Sequence, residues 1–526
     1  MTQSLPPRAQ ARPVTRTIHG TDITDDYGWL RAENWREVLR DPALLPADIR
    51  DHLSAENAYA DALLAPVEDL RRRLVAEMRG RIKEDDSSVP SPDGPYSYYL
   101  RFREGGQHPL VCRRPRAAGE ETVLLDADAL AAGKAFFDLA EAQHSPDHRL
   151  LAWSADETGG ELHTIRLRDL ATGTDRATRI EQTTGEVVWA GDSRSLYYVR
   201  LDENHRPSRV FRHVLDSDPA DDEEIYREDD PGWFVHLART QSGAFGLINV
   251  SDHETSEVHL IDLADPAARP RLVAARETGH RYSVEHAGED LVISTNADGA
   301  EDFKLVTAPL AAPERGSWRE LVPHRPGIML LKHTAFRDFL VRLEREDANP
   351  RLVVRALATG EEHAIAFDEP AYGLRYEPGY EYDTSVVRFT YSSMTTPAET
   401  YAYDMASRER QLIKRREVPS GHDPARYVTK RLFATAADGE TVPISVLHRR
   451  DLALDGTAPC LLYGYGAYGI AIPADFETNR LSLVDRGFVY AIAHIRGGTE
   501  KGWRWYTDGK REKKTNTFTD FIAAGR

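Results

Sequence analysis

Between Cys460 and Phe521 the chain concentrates residues whose types and spacing could do chemistry. Gly464, Gly466 and Gly469 fall in the spacing G-x-G-x-x-G directly after the apolar run 459–463, with Asp485 further on. In a dinucleotide-binding unit such glycines let backbone approach a pyrophosphate at a helix N-terminus, and a later acid takes a ribose hydroxyl. Pro473 interrupts the segment where that helix should begin, and Asp485 falls at a helix end instead of a strand end, so nucleotide binding is set aside. The competing use of the glycines is to let backbone pass close to a bound peptide, with Tyr465 aimed into the site.

Other chemistries are weak. A nucleophilic serine on an α/β sheet needs glycine two residues before and two after, so that a strand can turn sharply into a helix. No serine of the 526 residues has a glycine two positions later. The acid and histidine of such a triad follow the serine in chain order, so they too are missing from this stretch. There is no His-Glu-x-x-His motif. His144 and His148 are four apart, but Ser145-Pro146-Asp147 between them reads as a turn that cannot put both on one helical face, so no metal site is expected. Cys112 and Cys460 are too few for a disulfide framework, and Cys460, in an apolar run, reads as a buried thiol in a reducing compartment.

Three textures must position these residues. Residues 1–85 read as an extended arm followed by helices, with Leu53, Ala55, Ala58, Ala60, Leu63 and Leu64 at helical spacing and a charged helix over 67–78. Residues 86–414 switch to short apolar strands punctuated by Asp, Gly, Pro and Asn. A strand–turn–strand unit recurs there with its turn at Glu104, Asp156, Asp202, Asp252, Asn296, Glu346 and Ser392, spaced 52, 46, 50, 44, 50 and 46 residues apart. Seven units of four short strands predict a seven-bladed β-propeller, since a large β-sandwich would not keep so regular a period. Residues 415–526 read as an α/β sheet: a hairpin around Asp438-Gly439, strands over 459–463 and 488–493, and helices near 481–485 and 519–524.

The balance of 85 acidic against 67 basic residues, a formal charge of −18, argues against nucleic acid as a partner and suits attraction of cationic ligands. Residues 1–20 have no apolar core of signal-peptide length, and no stretch is apolar for long enough to span a bilayer; a cytoplasmic protein is expected.

The motifs Tyr463-Gly464-Tyr465-Gly466, 488–498 and 516–521 resemble the prolyl oligopeptidase family, with the segment from Asp508 to Phe518 closest to its oligopeptidase B branch. The resemblance implies a propeller closing one side of an α/β-hydrolase domain, an N-terminal segment wrapping that domain, and Ser-His-Asp acyl-enzyme hydrolysis of short unfolded peptides after Arg or Lys, without a cofactor. By the same resemblance, Tyr465 matches the tyrosine that donates its phenol O–H to the oxyanion, a role suited to a neutral donor of high pKa; the alternative is a core tyrosine with a satisfied hydroxyl. Asp475 matches the second of two acids that help bind a second basic substrate residue; the first position is Pro473, and the alternative for Asp475 is a helix N-cap. Arg496, Gly497, Gly498 and Glu500 read as loop shaping, and Asp520 as an acid in the first turn of a helix. Because the triad is not in this stretch, the hydrolase domain is expected to be incomplete and inactive alone. Two further possibilities are a catalytically dead chain whose propeller binds peptides or proteins, and post-proline specificity.

Overall fold

The computed structural model describes residues 5–526; Met1 to Ser4, with which the N-terminal segment opens, lie outside the described residues. Strands from Ser91 to Arg415 form six antiparallel sheets. Five have four strands each: residues 91–126, 234–274, 282–322, 328–364 and 372–415. The sixth has seven strands over residues 138–227, because the 16-residue strand Thr174–Trp189 pairs with His163–Asp169 through its first half and with Ser195–Leu201 through its second. That strand closes one blade and opens the next, so the sheets make seven blades.

All seven turns read from the sequence join the second and third strands of a blade. First strands of neighbouring blades touch one another at the axis, as in Asp138–His144 with Thr174–Trp189 and Tyr282–Ala287 with Ile328–Ala335. Apolar clusters fill the seams between successive blades; Val341, Leu352 and Val354 of blade 6, for example, pack on Leu374, Val387 and Phe389 of blade 7. This is the nearest-neighbour burial that makes a repeat ring stable. Blades 7 and 1 instead meet through polar contacts: Arg388 donates to the Pro90 carbonyl at 2.6 Å, and Lys414 to Asp86 at 2.6 Å. The eight-residue connection 378–385 of blade 7 crosses one mouth of the ring, with Gln241 Nε2 of blade 4 donating to the carbonyls of Gly379 and Glu381.

The opposite face, at the second-to-third-strand turns, meets residues from 427 onward. Tyr427–Thr435 and Thr441–Arg449 form the expected hairpin, and the sheet continues through Val489–Ala493 to Cys460–Tyr463, the last pair parallel. Helices Thr478–Val484 and Thr515–Gly525 match expectation. One detail differs. Among the described residues Cys460–Tyr463 is an edge strand with one neighbour, and Cys460 is exposed instead of a buried thiol.

Near the N-terminus the expected extended arm is a hairpin, Val14–Ile18 with Thr21–Asp25, closed by His19 and Gly20, both at positive φ. A two-residue turn with two left-handed positions matches the right-handed twist of paired strands. Helices Ala47–Leu64 and Glu68–Arg79 follow. Of the first, only Ile49 is buried; Leu53, Leu63 and Leu64 are exposed. The second docks on the segment around helix Thr478–Val484: Glu77 accepts from Arg486 at 2.8 and 3.0 Å, and Arg81 donates to Ser482 at 2.6 Å.

Candidate active site

The loop after Cys460–Tyr463 is pinned by its own chain. Gly466 has φ +63°, and a Cβ there would sit 2.5 Å from Thr517 Cγ2 and 2.9 Å from the Arg496 carbonyl oxygen. Gly497, at φ +103°, lies so close to the Gly466 carbonyl that a Cβ would come within 2.0 Å of it. Thr517 Oγ1 donates to the Arg496 carbonyl at 2.8 Å, and Lys514 Nζ donates to the Gly466 carbonyl. The glycines therefore serve loop-on-loop packing, a correction to the expectation that they clear space for a peptide. No helix follows within the loop, which runs to Glu477 before Thr478–Val484 begins, so it has no helix N-terminus to hold a phosphate. Asp485, the other half of the nucleotide pattern, accepts from the Tyr427 phenol at 2.7 Å.

Tyr465 projects from this loop with 42% of its surface exposed, and among the described residues its hydroxyl has no hydrogen-bond partner. A core tyrosine with a satisfied hydroxyl is thereby excluded at this position. Tyr468, three residues on, is more exposed still and stands near His253 of the propeller, ring centroids 6.3 Å apart.

Asp475 lies where the hydrolase part meets blade 7. Its neighbours are close: a Cβ on Gly373 would come within 3.1 Å of the Asp475 Cβ. The carboxylate faces Arg375 at 3.5 Å, with the guanidinium well exposed. Helix Thr478–Val484 begins three residues later with Glu477 at its N-cap, so the capping alternative for Asp475 does not hold. Arg375 is the residue that sequence reading misses here; no local signal links positions in different repeats.

Arg496 shapes the loop as expected, and the structure shows how. Its buried guanidinium makes two bonds to Asp520, at 2.8 and 2.6 Å, and one to Asp438 at 2.6 Å, while Asp520 also accepts its backbone N–H at 3.0 Å. The Asp520 carboxylate, first among several partners, raises the guanidinium further above its ordinary value. Asp520 is thus a fully buried ion-pair partner in the middle of helix Thr515–Gly525, not a first-turn acid. Gly509 packs on the Gly497 backbone, and Lys510 pairs with Glu254 of blade 4.

A Ser–His–acid arrangement does occur beneath this loop. Ser445 Oγ and His494 Nε2 are 2.7 Å apart, and His494 Nδ1 stands 3.7 Å from Glu500 Oε1. Ser445 is wholly buried within Thr441–Arg449, and burial pushes His494 below its ordinary value. A peptide carbonyl cannot approach a serine in the middle of a covered strand, so these groups form a core network. Next to them, Arg345 of the propeller donates to Thr499 Oγ1 at 2.8 Å, and Arg431 donates to Asn349 at 2.7 Å, with burial pushing Arg431 down to about 10. The two parts therefore meet through charged and polar groups.

Residues 6–416 match the model of the prolyl oligopeptidase N-terminal β-propeller domain, and residues 474–526 that of the prolyl oligopeptidase family. Dipeptidyl aminopeptidase BI of Pseudoxanthomonas mexicana is 38% identical over 99% of this chain and 73% of its own length. Protease 2 of Moraxella lacunata is 32% identical over 99% and 74%. Oligopeptidase B from Leishmania major superposes with a TM-score of 0.93 at 33% identity, over 99% of this chain and 76% of that one. Propeller, loop and likeness agree, and the chain belongs to the prolyl oligopeptidase family of serine peptidases.

Proposed function

We propose that this protein is an oligopeptidase that cleaves short peptides after Arg or Lys, with Tyr465 donating to the oxyanion and Asp475 contacting a basic substrate residue. The observation that carries the reading is the free phenol of Tyr465 on a loop fixed at both Gly466 and Gly497. A donor held in place before the reaction costs no reorganisation as negative charge develops. The reading divides the chain into residues 1–85, 86–414 and 415–526, and looks for the serine, acid and histidine outside this stretch. Exposed Arg375 opposite Asp475 suits a site where a substrate cation exchanges with a protein cation. Since residues 378–385 cross the far mouth of the ring, peptides are proposed to reach Tyr465 between propeller and hydrolase instead of along the axis.

The test is steady-state hydrolysis by the full-length gene product of matched peptides with Arg, Lys or Pro before the cleaved bond, each with a free and a blocked N-terminus. Preference for Arg and Lys with a blocked end supports the reading. Preference for Pro, release of dipeptides from free ends alone, or no hydrolysis by a protein that binds peptides would each overturn it.

A further inference from the structure

At the mouth of the ring away from the hydrolase part, two neighbouring blades bring together groups that the sequence keeps apart. Asp93 ends the first strand of blade 1; His144 ends the first strand of blade 2, and His148 lies in the turn that follows. One ligand atom from each lies within 4.8 Å of the other two. The earlier objection, that a turn cannot place His144 and His148 on one helical face, does not apply, because the turn folds them toward a third residue instead.

The arrangement has the supports of a metal centre. Tyr98 Oη bonds His148 Nδ1 at 2.8 Å, which occupies that nitrogen and leaves Nε2 as the free one; a partner on the second ring nitrogen is what orients a ligating imidazole. Tyr98 also stacks on His144 at 3.7 Å, 2° from parallel, and Tyr380 of the crossing connection lies edge-on to His144 at 5.0 Å. His144 Nε2 and Asp93 Oδ2 are 2.7 Å apart, sharing a proton that a metal ion would displace. Two atoms bound to one tetrahedral ion at about 2.1 Å are about 3.4 Å apart. The two imidazole centroids are 5.3 Å apart, and two imidazoles on one such ion span about 5.3 Å. Their rings lie 16° from parallel, so binding asks for a turn of the His148 ring about its bond to Tyr98.

We propose that Asp93, His144 and His148 bind one divalent transition-metal ion of the Zn2+ type, clamping blade 1 to blade 2 at this mouth of the ring. Two imidazoles and one carboxylate suit a borderline ion better than Ca2+ or Mg2+, which prefer all-oxygen sets, and three protein ligands leave a fourth position for water.

The experiment is calorimetric titration of the chelator-treated full chain with Zn2+, alongside Co2+ absorption spectra and thermal melts. Expected are about one ion per chain, a Co2+ visible band of a four-coordinate site, and a Tm raised by saturating Zn2+. His148→Gln and Asp93→Asn, which keep size and fold, should each weaken binding at least tenfold and remove the Tm rise. His144→Ala should do the same, but it also removes the Tyr98 stacking partner, so the two conservative variants decide. No binding, or binding unchanged in either conservative variant, overturns the proposal, the second outcome assigning the ion to another place on the surface.

Discussion

At the scale of single residues, Tyr465 and Asp475 differ in how much their neighbours say about them. Loss of one oxyanion donor costs about 10²–10³ in kcat, so Tyr465→Phe should lower kcat by about a hundredfold and leave KM nearly unchanged for the same basic peptide. Steady-state kinetics on the full-length gene product checks this, and an unchanged kcat removes Tyr465 from the oxyanion site. Tyr465 stands out in the sequence because a short motif flanks it on both sides. Asp475 was legible only as an acid in a loop; its partner Arg375 stands 100 positions away in the seventh repeat. Asp93 and His144 are 51 apart, and their convergence depends on how two blades abut, which no local pattern encodes.

At the scale of elements, the buried Arg496–Asp520 pair joins the end of Val489–Ala493 to helix Thr515–Gly525, and removing one partner strands a buried charge. Such changes cost about 3–5 kcal/mol, so Arg496→Ala should lower the denaturation midpoint of the hydrolase part markedly, read by urea titration. Glu285, on the first strand of blade 5, accepts the Gln241 N–H at 3.1 Å, and burial pushes its carboxyl up to about 8 from an ordinary value near 4.5. The folded state therefore holds a proton that the unfolded chain releases. This contribution to stability is complete below pH 4.5 and is lost as pH rises through 8. Glu285→Gln should flatten the pH dependence of Tm across that window; an identical slope would show that Glu285 is not its source. The seven repeats were readable because each places a polar turn after an apolar strand at nearly constant period. The hairpin at Val14–Asp25 was not, since both strands are exposed and carry no apolar alternation; the only cue was the short turn at His19-Gly20.

At the scale of the whole molecule, the formal charge of −18 acts on any cationic peptide before contact. Screening shortens the reach of that field to about 8 Å at physiological salt, so kcat/KM for basic peptides should fall as ionic strength rises, while a neutral peptide of equal length should respond little. Stopped-time assays across a salt series decide it, and equal responses would remove long-range attraction from the account. The strand Thr174–Trp189 has a different bearing on the ring. In a repeat array each unit can open separately, at a free energy set by its own contacts and its borders. Here two units share one continuous strand, its first half laddered to one blade and its second half to the next with Thr183 paired on both sides, so opening either half displaces the residue that anchors the other. Residues 138–227 thus form one unit of double size in a ring otherwise made of single ones, and amide protons on both sides of the shared strand should exchange with one common opening energy.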